Sequence, residues 1–243
     1  PKKGGKKSLT SPKKVKKAAA PENLDAEMIV ALLTGDDLWS TEAEVVTRAF
    51  DSLYEFIVAS EEKDYQLNRQ LALRLGAPLV ICRQLKVLGS KDDALLASGL
   101  LLLRCLGSHA GTPDWFGIIK VGGLERACWT LQNHTDVALQ LHAVAVLGDM
   151  VLDESITDIF VATGGVDALI YSLKTFAENP NILKKTLEAI RQLCRRDDSS
   201  AVVERGAVDL VVKLMQERAT DPDMQKRGCY ILLALGLEQK KVI

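Results

Sequence analysis

Apolar residues recur at steps of three and four along most of the chain, which is the spacing of an amphipathic α-helix. After Thr41 the apolar stripe consists of Val45, Val46, Ala49, Leu53, Phe56 and Ile57. The same spacing predicts four further long helices, at residues 92–106, 136–151, 181–194 and 222–237. No segment alternates apolar and polar residues for long enough to predict a β-strand, so the pattern indicates an all-α fold.

Polar residues mark where the helices begin. Asn23 or Asp25 can cap a short helix at residues 26–33. The acidic pairs Asp92-Asp93 and Asp197-Asp198 stand at or just before predicted helix starts. A carboxylate there accepts hydrogen bonds from free backbone amides, so these pairs are interpreted as caps rather than as catalytic acids.

A glycine-headed phrase returns four times, beginning at Gly76, Gly122, Gly164 and Gly206, with spacings of 46, 42 and 42 residues. Each phrase separates a short first helix from a second helix, and a longer third helix follows after a polar break. Glycine suits the first turn because it tolerates a positive φ and a close approach of helices. Self-similarity at a fixed period in this range predicts a stacked array of helical repeats.

This three-helix unit, with Gly-Gly or Gly-Ala before its second helix, resembles an armadillo repeat. The clearest copies are residues 153–195 and 197–237, followed by 112–152 and then 64–106. HEAT repeats are the alternative, but they have two helices per unit and lack the glycine pair. The resemblance implies about four repeats in a right-handed α-solenoid whose third helices line a concave groove.

The predicted division of the chain follows from these repeats. It consists of a lysine-rich arm at residues 1–22, N-terminal capping helices at 23–63, a repeat array at 64–237 and a tail at 238–243.

The resemblance also locates candidate groove residues. Nuclear-import adaptors of the armadillo family place Trp and Asn four residues apart on the third helices, where they grip a lysine-rich peptide. The matching slots here are Asp51 and Glu55, Leu101 and Cys105, Ala145 and Asp149, Glu188 and Gln192, and Tyr230 and Ala234. No slot carries the Trp/Asn pair, so the sequence does not support adaptor-like cargo binding.

Acidic residues are frequent in these slots, which favours a basic or polar partner on the concave surface. Arg104, Lys184 and Arg191 lie nearby and weaken that field. A solvated third-helix surface with no partner is the alternative interpretation.

Charge is distributed unevenly along the 243 residues, although the formal net charge is only −1. Residues 1–21 contain no acid and eight lysines, which are Lys2, Lys3, Lys6, Lys7, Lys13, Lys14, Lys16 and Lys17. The rest of the chain therefore contains 23 of the 31 basic residues and all 32 acidic residues, which gives it a net charge of −9. An arm of this composition buries too little apolar surface to order itself and is predicted to be disordered.

The arm favours an acidic partner, because lysines that neutralise phosphates or carboxylates release counterions. Nucleic acid and the acidic tails of tubulin are the leading targets, the arm's own acidic body is another, and an anionic membrane is the weakest. Ser11-Pro12-Lys13-Lys14 resembles the Ser-Pro-Lys-Lys units of histone tails, and Ser11 resembles a proline-directed phosphorylation site. Residues 12–17 resemble a nuclear-localisation signal.

No motif in the sequence predicts catalysis, a cofactor or a bound metal. A P-loop, Gly-x-Ser-x-Gly, HExxH and a dinucleotide fingerprint are all missing, and His109, His134 and His142 are far apart in the sequence. The five cysteines lie singly in apolar runs, which predicts buried thiols in a reducing compartment. They are Cys82, Cys105, Cys128, Cys194 and Cys229.

The sequence as a whole predicts a non-catalytic scaffold or adaptor subunit of a larger hetero-complex, cytoskeletal or ribonucleoprotein. The repeat surface would hold a protein partner and the arm an acidic polymer. The alternative is a nucleic-acid-associated or nuclear factor anchored by its lysine-rich tail. No apolar stretch reaches the roughly 18 residues of a membrane span. The expected location is intracellular, in the cytoplasm or on the cytoskeleton, with the nucleus as the alternative.

Overall fold

The structure is a computed structural model that describes residues 35–59, 62–107, 115–195 and 199–239. Within these ranges the chain forms thirteen α-helices and three short 3-10 helices and contains no β-strand, which confirms the all-α prediction. The lysine arm, Ser11, the helix predicted at residues 26–33 and the pair Asp197-Asp198 lie outside the described residues.

One α-helix precedes four groups of three α-helices each. Helix α1 spans Ala43–Val58. The first group is α2 (Glu62–Arg74), α3 (Ala77–Val87) and α4 (Asp93–Gly107); the second is α5 (Trp115–Lys120), α6 (Gly123–Asn133) and α7 (Val137–Met150); the third is α8 (Thr157–Ala162), α9 (Gly165–Thr175) and α10 (Pro180–Cys194); the fourth is α11 (Ser199–Glu204), α12 (Ala207–Glu217) and α13 (Pro222–Gln239). The 3-10 helices are Asp36–Trp39, Gly89–Lys91 and Glu154–Ile156. The third helices α4, α7, α10 and α13 begin and end within two residues of their predicted bounds.

The first glycine of each phrase makes the turn between the first and second helices. Gly76, Gly122, Gly164 and Gly206 all have positive φ, at 84°, 94°, 89° and 74°. A residue with a Cβ is strained in this left-handed conformation, which explains why the phrase always begins with glycine.

The residue at the second position of the phrase is matched in size to a side chain of the first helix, five positions earlier. A Cβ added to Gly165 would overlap the ring of Phe160, and one added to Gly123 would overlap the side chain of Ile118. The fourth repeat has Ala207 at this position, and the residue five places earlier is the smaller Val202. Each repeat therefore pairs a large side chain with glycine or a smaller one with alanine.

An Asp or Asn side chain caps each third helix of the array. Asp92 accepts a hydrogen bond from the amide of Leu95 at 2.8 Å, and Asp136 accepts one from Leu139 at 2.9 Å. Asn179 and Asp221 cap α10 and α13 in the same way. These caps satisfy amides that have no partner inside the helix, so they fix the start of each third helix.

The third helices pack side by side, each against the next, from α1 to α13. Eleven residues after each cap stand Leu103, Leu147 and Ile190, all buried between successive third helices, with exposed fractions of 0%, 0% and 1%. The equivalent residue of α13 is Leu232, which is 38% exposed. No helix of the described residues covers the outer face of α13.

Two predicted boundaries need correction. The boundary between residues 63 and 64 falls inside α2, because that helix begins at Glu62 and its first three residues are all charged. The tail predicted from residue 238 starts inside α13, which continues to Gln239. Both errors arise where polar residues continue a helix that is packed farther along.

Candidate functional site: the groove along the third helices

Helix α1 and the third helices α4, α7, α10 and α13 carry all of the predicted groove residues. Asp51 and Glu55 are exposed on α1. Leu101 and Cys105 are half-buried on α4, as are Asp149 on α7 and Glu188 and Gln192 on α10. On α13, Tyr230 is 46% exposed, whereas Ala145 of α7 and Ala234 of α13 are buried.

The structure brings four of these residues together in one cavity. Ala145, Asp149, Glu188 and Gln192 line a groove of about 460 Å³ between α7 and α10, and Arg227 of α13 also contributes to the lining. Asp51, Glu55, Leu101, Cys105 and Tyr230 do not line it. The candidate site is therefore concentrated in the second half of the array.

Small and aliphatic residues form the floor of this cavity. They are Val144, Ala145, Gly148 and Leu152 of α7 and Ala189 of α10. A Cβ added to Gly148 would meet nothing closer than the Cβ of Ala189 at 4.0 Å, so the space above this glycine is open. Leu152 is 58% exposed, which leaves apolar surface facing solvent at one end of the floor.

Both carboxylates of the cavity are already engaged by arginines. Arg104 Nε of α4 donates a hydrogen bond to Asp149 Oδ2 at 2.6 Å and links two adjacent third helices. Arg191 Nη2 donates to Glu188 Oε1 at 2.5 Å, and Gln192 Nε2 donates to the same oxygen at 3.0 Å. The hydrogen bond from Arg191 holds the pKa of Glu188 below its usual range.

The lysines of the rim are less well compensated. Lys184 and Lys185 line the cavity, and neither forms an ion pair with a carboxylate of the described residues. Arg227 donates to Asp223 at 2.8 Å, and this hydrogen bond lowers the pKa of Asp223. Lys184 lies near enough to Asp223 to lower that pKa further through its charge.

The cavity and its immediate partners thus hold five cations and three carboxylates. The cations are Arg104, Lys184, Lys185, Arg191 and Arg227, and the carboxylates are Asp149, Glu188 and Asp223. The sequence already placed Arg104, Lys184 and Arg191 near the acidic slots, and the structure adds Lys185 and Arg227. Cations therefore outnumber carboxylates in this part of the groove.

Several solved structures resemble the chain, including the following two. One is an engineered protein, with a TM-score of 0.68 and 22% sequence identity over 88% of this chain and 80% of the other. The second is a designed armadillo repeat protein in complex with a (KR)4 peptide, with a TM-score of 0.71 and 16% identity over 86% of this chain and 82% of the other. The fold is that of an armadillo repeat protein. This confirms the fold predicted from the sequence, whereas no family model and no curated protein matches the chain.

At the first repeat of the armadillo array, part of the predicted groove is covered. The Tyr65 hydroxyl of α2 donates a hydrogen bond to the backbone carbonyl of Cys105 at 3.3 Å and lies 3.9 Å from its Sγ. Arg69, on the same helix, donates to the carbonyl of Leu106 at 2.7 Å. Burial raises the pKa of the Cys105 thiol, so this slot is a packing position at the end of α4.

The other thiols of the array divide into buried and exposed. Cys82, Cys128 and Cys194 are buried, and desolvation raises the pKa of each to about 12, which keeps them protonated at neutral pH. The prediction that all five thiols are buried is wrong for Cys229, which is exposed on α13.

The described histidines take part in local packing of the array. His134 Nδ1 lies 3.1 Å from Asp93 Oδ1, and its ring meets the edge of Trp129 at a centroid distance of 5.1 Å. Desolvation and the charge of Arg104 lower the pKa of His142. His109 lies outside the described residues. Among the described side chains no group of three or more His, Cys, Asp or Glu is arranged to hold a metal ion.

No single helix in the described ranges is long and apolar enough to cross a membrane. One bent pair, Glu154–Ala162 with Gly165–Thr175, passes that test by length and composition, with a bend of 74°.

The sequence did not single out three residues of the armadillo groove, Gly148, Lys185 and Arg227. Their positions beside the slots depend on how α7, α10 and α13 are offset against each other, which no single repeat reveals. Gly148 carries one signal in the sequence, because glycine is a weak helix former and interrupts the apolar pattern of the predicted helix 136–151.

Proposed function

We propose that the chain is a non-catalytic protein-binding scaffold that holds an extended segment of a partner protein along its third-helix groove. The cavity between α7 and α10 carries this proposal, since it combines an apolar floor with charged groups on its rim. Such a combination is typical of a recognition surface, in which apolar contacts supply affinity and polar groups set orientation. The complex of a designed armadillo repeat protein with a peptide supports the same use of the fold.

The groove is suited to a peptide rather than to a small molecule. It is open to solvent between neighbouring third helices and its lining comes from α7, α10 and α13 in succession. A repeat array offers such an extended surface because each repeat adds a similar helix beside the last. An extended chain can place successive side chains on successive helices.

A selection from a random peptide library displayed on phage tests this function. The full chain is immobilised, and the clones that it retains are assayed against Gly148→Leu, which fills the cavity, and Gly236→Leu, a matched control on α13. No heavy atom lies within 4 Å of a Cβ at Gly236, so both variants add a leucine where there is room. We expect clones that bind the wild type and Gly236→Leu but lose most of their binding to Gly148→Leu.

If the library yields no binder, or if Gly148→Leu retains the selected clones as the wild type does, the groove is not a peptide site and the proposal fails. Circular dichroism of both variants confirms that the helices are intact before binding is compared.

The lysine arm extends the proposal to a second attachment. Its eight lysines, without an acid in residues 1–21, favour binding to an acidic polymer such as a tubulin tail or a nucleic acid. Such an attachment would suit a subunit of a hetero-complex in the cytoplasm or on the cytoskeleton; nucleic-acid attachment in the nucleus is the second candidate.

Binding of the full chain and of a chain without residues 1–22 to single-stranded DNA and to an acidic tubulin-tail peptide separates these targets. We expect the full chain to bind at least one of them, with affinity that falls steeply as salt rises, and the shortened chain to lose that binding. Binding of the shortened chain at wild-type affinity would show that the arm is not the attachment.

A further inference from the structure

Gly148 differs from Gly99, Gly107 and Gly228 of the third helices, and like Gly236 of α13 it has open space beside it. Gly99, Gly107 and Gly228 each leave room for a side chain of a neighbouring helix, from Leu85, Trp115 and Met215 respectively. Their lack of a Cβ is therefore explained by packing within the array. Gly148 lies in the last turn of α7 and has no such neighbour, since its nearest contact would be an ordinary one at 4.0 Å.

The open space at Gly148 belongs to the groove. No internal contact fills the space at Gly148, so an external group can come close to the backbone there. Ala145 and Ala189 flank this space with their own small side chains. The floor therefore has the depth to seat one apolar side chain of a partner segment.

The rim around this seat favours negative charge. Asp149 forms an ion pair with Arg104 of the neighbouring helix α4. Glu188 forms one with Arg191 of its own helix. The ammonium groups of Lys184 and Lys185 lack an ion pair within the described residues. A carboxylate arriving at the rim would gain partners without breaking an existing pair, whereas an arriving cation would have to compete with two arginines.

We infer that the groove at Gly148 binds an extended acidic peptide segment, with an apolar side chain seated on the floor and flanking carboxylates paired with Lys184 and Lys185. This inference rests on the proposed scaffold function and adds the chemistry of the partner. It also reverses the charge that the acidic slots alone suggested for the partner of this part of the groove.

Three labelled octapeptides test the inference by fluorescence anisotropy with the full chain. They are DEDFDEDE, its serine counterpart DEDSDEDE, and KRKRKRKR. The variant Lys184→Glu/Lys185→Glu reverses the rim charges, and Lys86→Glu/Lys174→Glu makes the same change in net charge on the exposed faces of the second helices α3 and α9. The lysine arm is present in every variant, so its attraction for acidic peptides cancels when variants are compared.

For DEDFDEDE, we expect the affinity to fall about tenfold or more in Lys184→Glu/Lys185→Glu and in Gly148→Leu. Lys86→Glu/Lys174→Glu and Gly236→Leu should bind it like the wild type. DEDSDEDE should bind the wild type more weakly than DEDFDEDE and should respond less to Gly148→Leu, because serine does not fill the apolar seat.

Equal binding of DEDFDEDE to the rim variant and to its control would overturn the inference. If Gly148→Leu instead abolishes binding of KRKRKRKR, or if the groove-dependent phage clones are predominantly basic, the scaffold function stands and the acidic partner is wrong. If no clone depends on the groove, the scaffold function itself fails.

Discussion

A single missing Cβ at the start of the second helix decides how closely the first helix can approach it. Gly165 receives the ring of Phe160, and Gly123 receives Ile118, whereas Ala207 follows the smaller Val202. The fit is thus local to each repeat and uses residues only five positions apart. Overpacking at such a contact forces side chains or backbone to move, since the interior has no spare volume.

The Phe160 contact gives a direct prediction. Gly165→Ala should lower the free energy of unfolding by about 1–3 kcal/mol, because the new methyl group overlaps a buried ring. The double variant Phe160→Val/Gly165→Ala reproduces the Val202/Ala207 pair of the fourth repeat. Its loss should be smaller than the sum of the two single losses by at least about 0.5 kcal/mol.

Urea denaturation followed by circular dichroism measures all three variants. Additive losses in the double variant would show that the two positions do not share the proposed fit.

At the level of the helix, the caps and the glycine turns explain why so much of the fold was predictable. Asp136 and Asn179 act on amides two or three residues away, and Gly164 acts on the turn that it occupies. Signals of such short range are fully contained in the sequence of one repeat. The third helices were therefore placed almost correctly without any knowledge of their packing.

The candidate site was less predictable because its contacts cross between helices. Arg104 neutralises Asp149 from the preceding third helix, and Tyr65 covers Cys105 from a first helix forty residues away in sequence. Neither partner follows from the slot pattern, which samples two positions per helix. The sequence was enough to predict the four slot positions of α7 and α10 that line the groove. The net charge of the groove could not be predicted, because it depends on how neighbouring helices are offset against each other.

Along the described helices, the charge of the groove surface changes from α1 to α10. Helix α1 presents Asp51 and Glu55 to solvent, and α10 presents Lys184 and Lys185. A partner lying along the array would therefore meet carboxylates at α1 and lysines at α10. Such an arrangement can select one direction of binding, because the reversed chain would place like charges together.

The uncovered outer face of α13 has a consequence for how the array moves. Helices α7 and α10 have a neighbouring third helix on both sides, whereas within the described structure α13 has one, α10, besides its own second helix α12. In a repeat array, stability is the sum of each repeat's own contribution and of its interfaces with its neighbours. With one interface fewer, the fourth repeat should open more often than the two before it.

Native-state hydrogen exchange followed by mass spectrometry can measure this gradient. Amide protons of α13 should exchange about tenfold or more faster than those of α7, through local opening that leaves the rest of the array folded. Equal protection of the two helices would mean that opening is global and that the array unfolds as one unit. Faster exchange in α13 would instead show that the helix that carries Arg227 unfolds locally before the other helices of the groove.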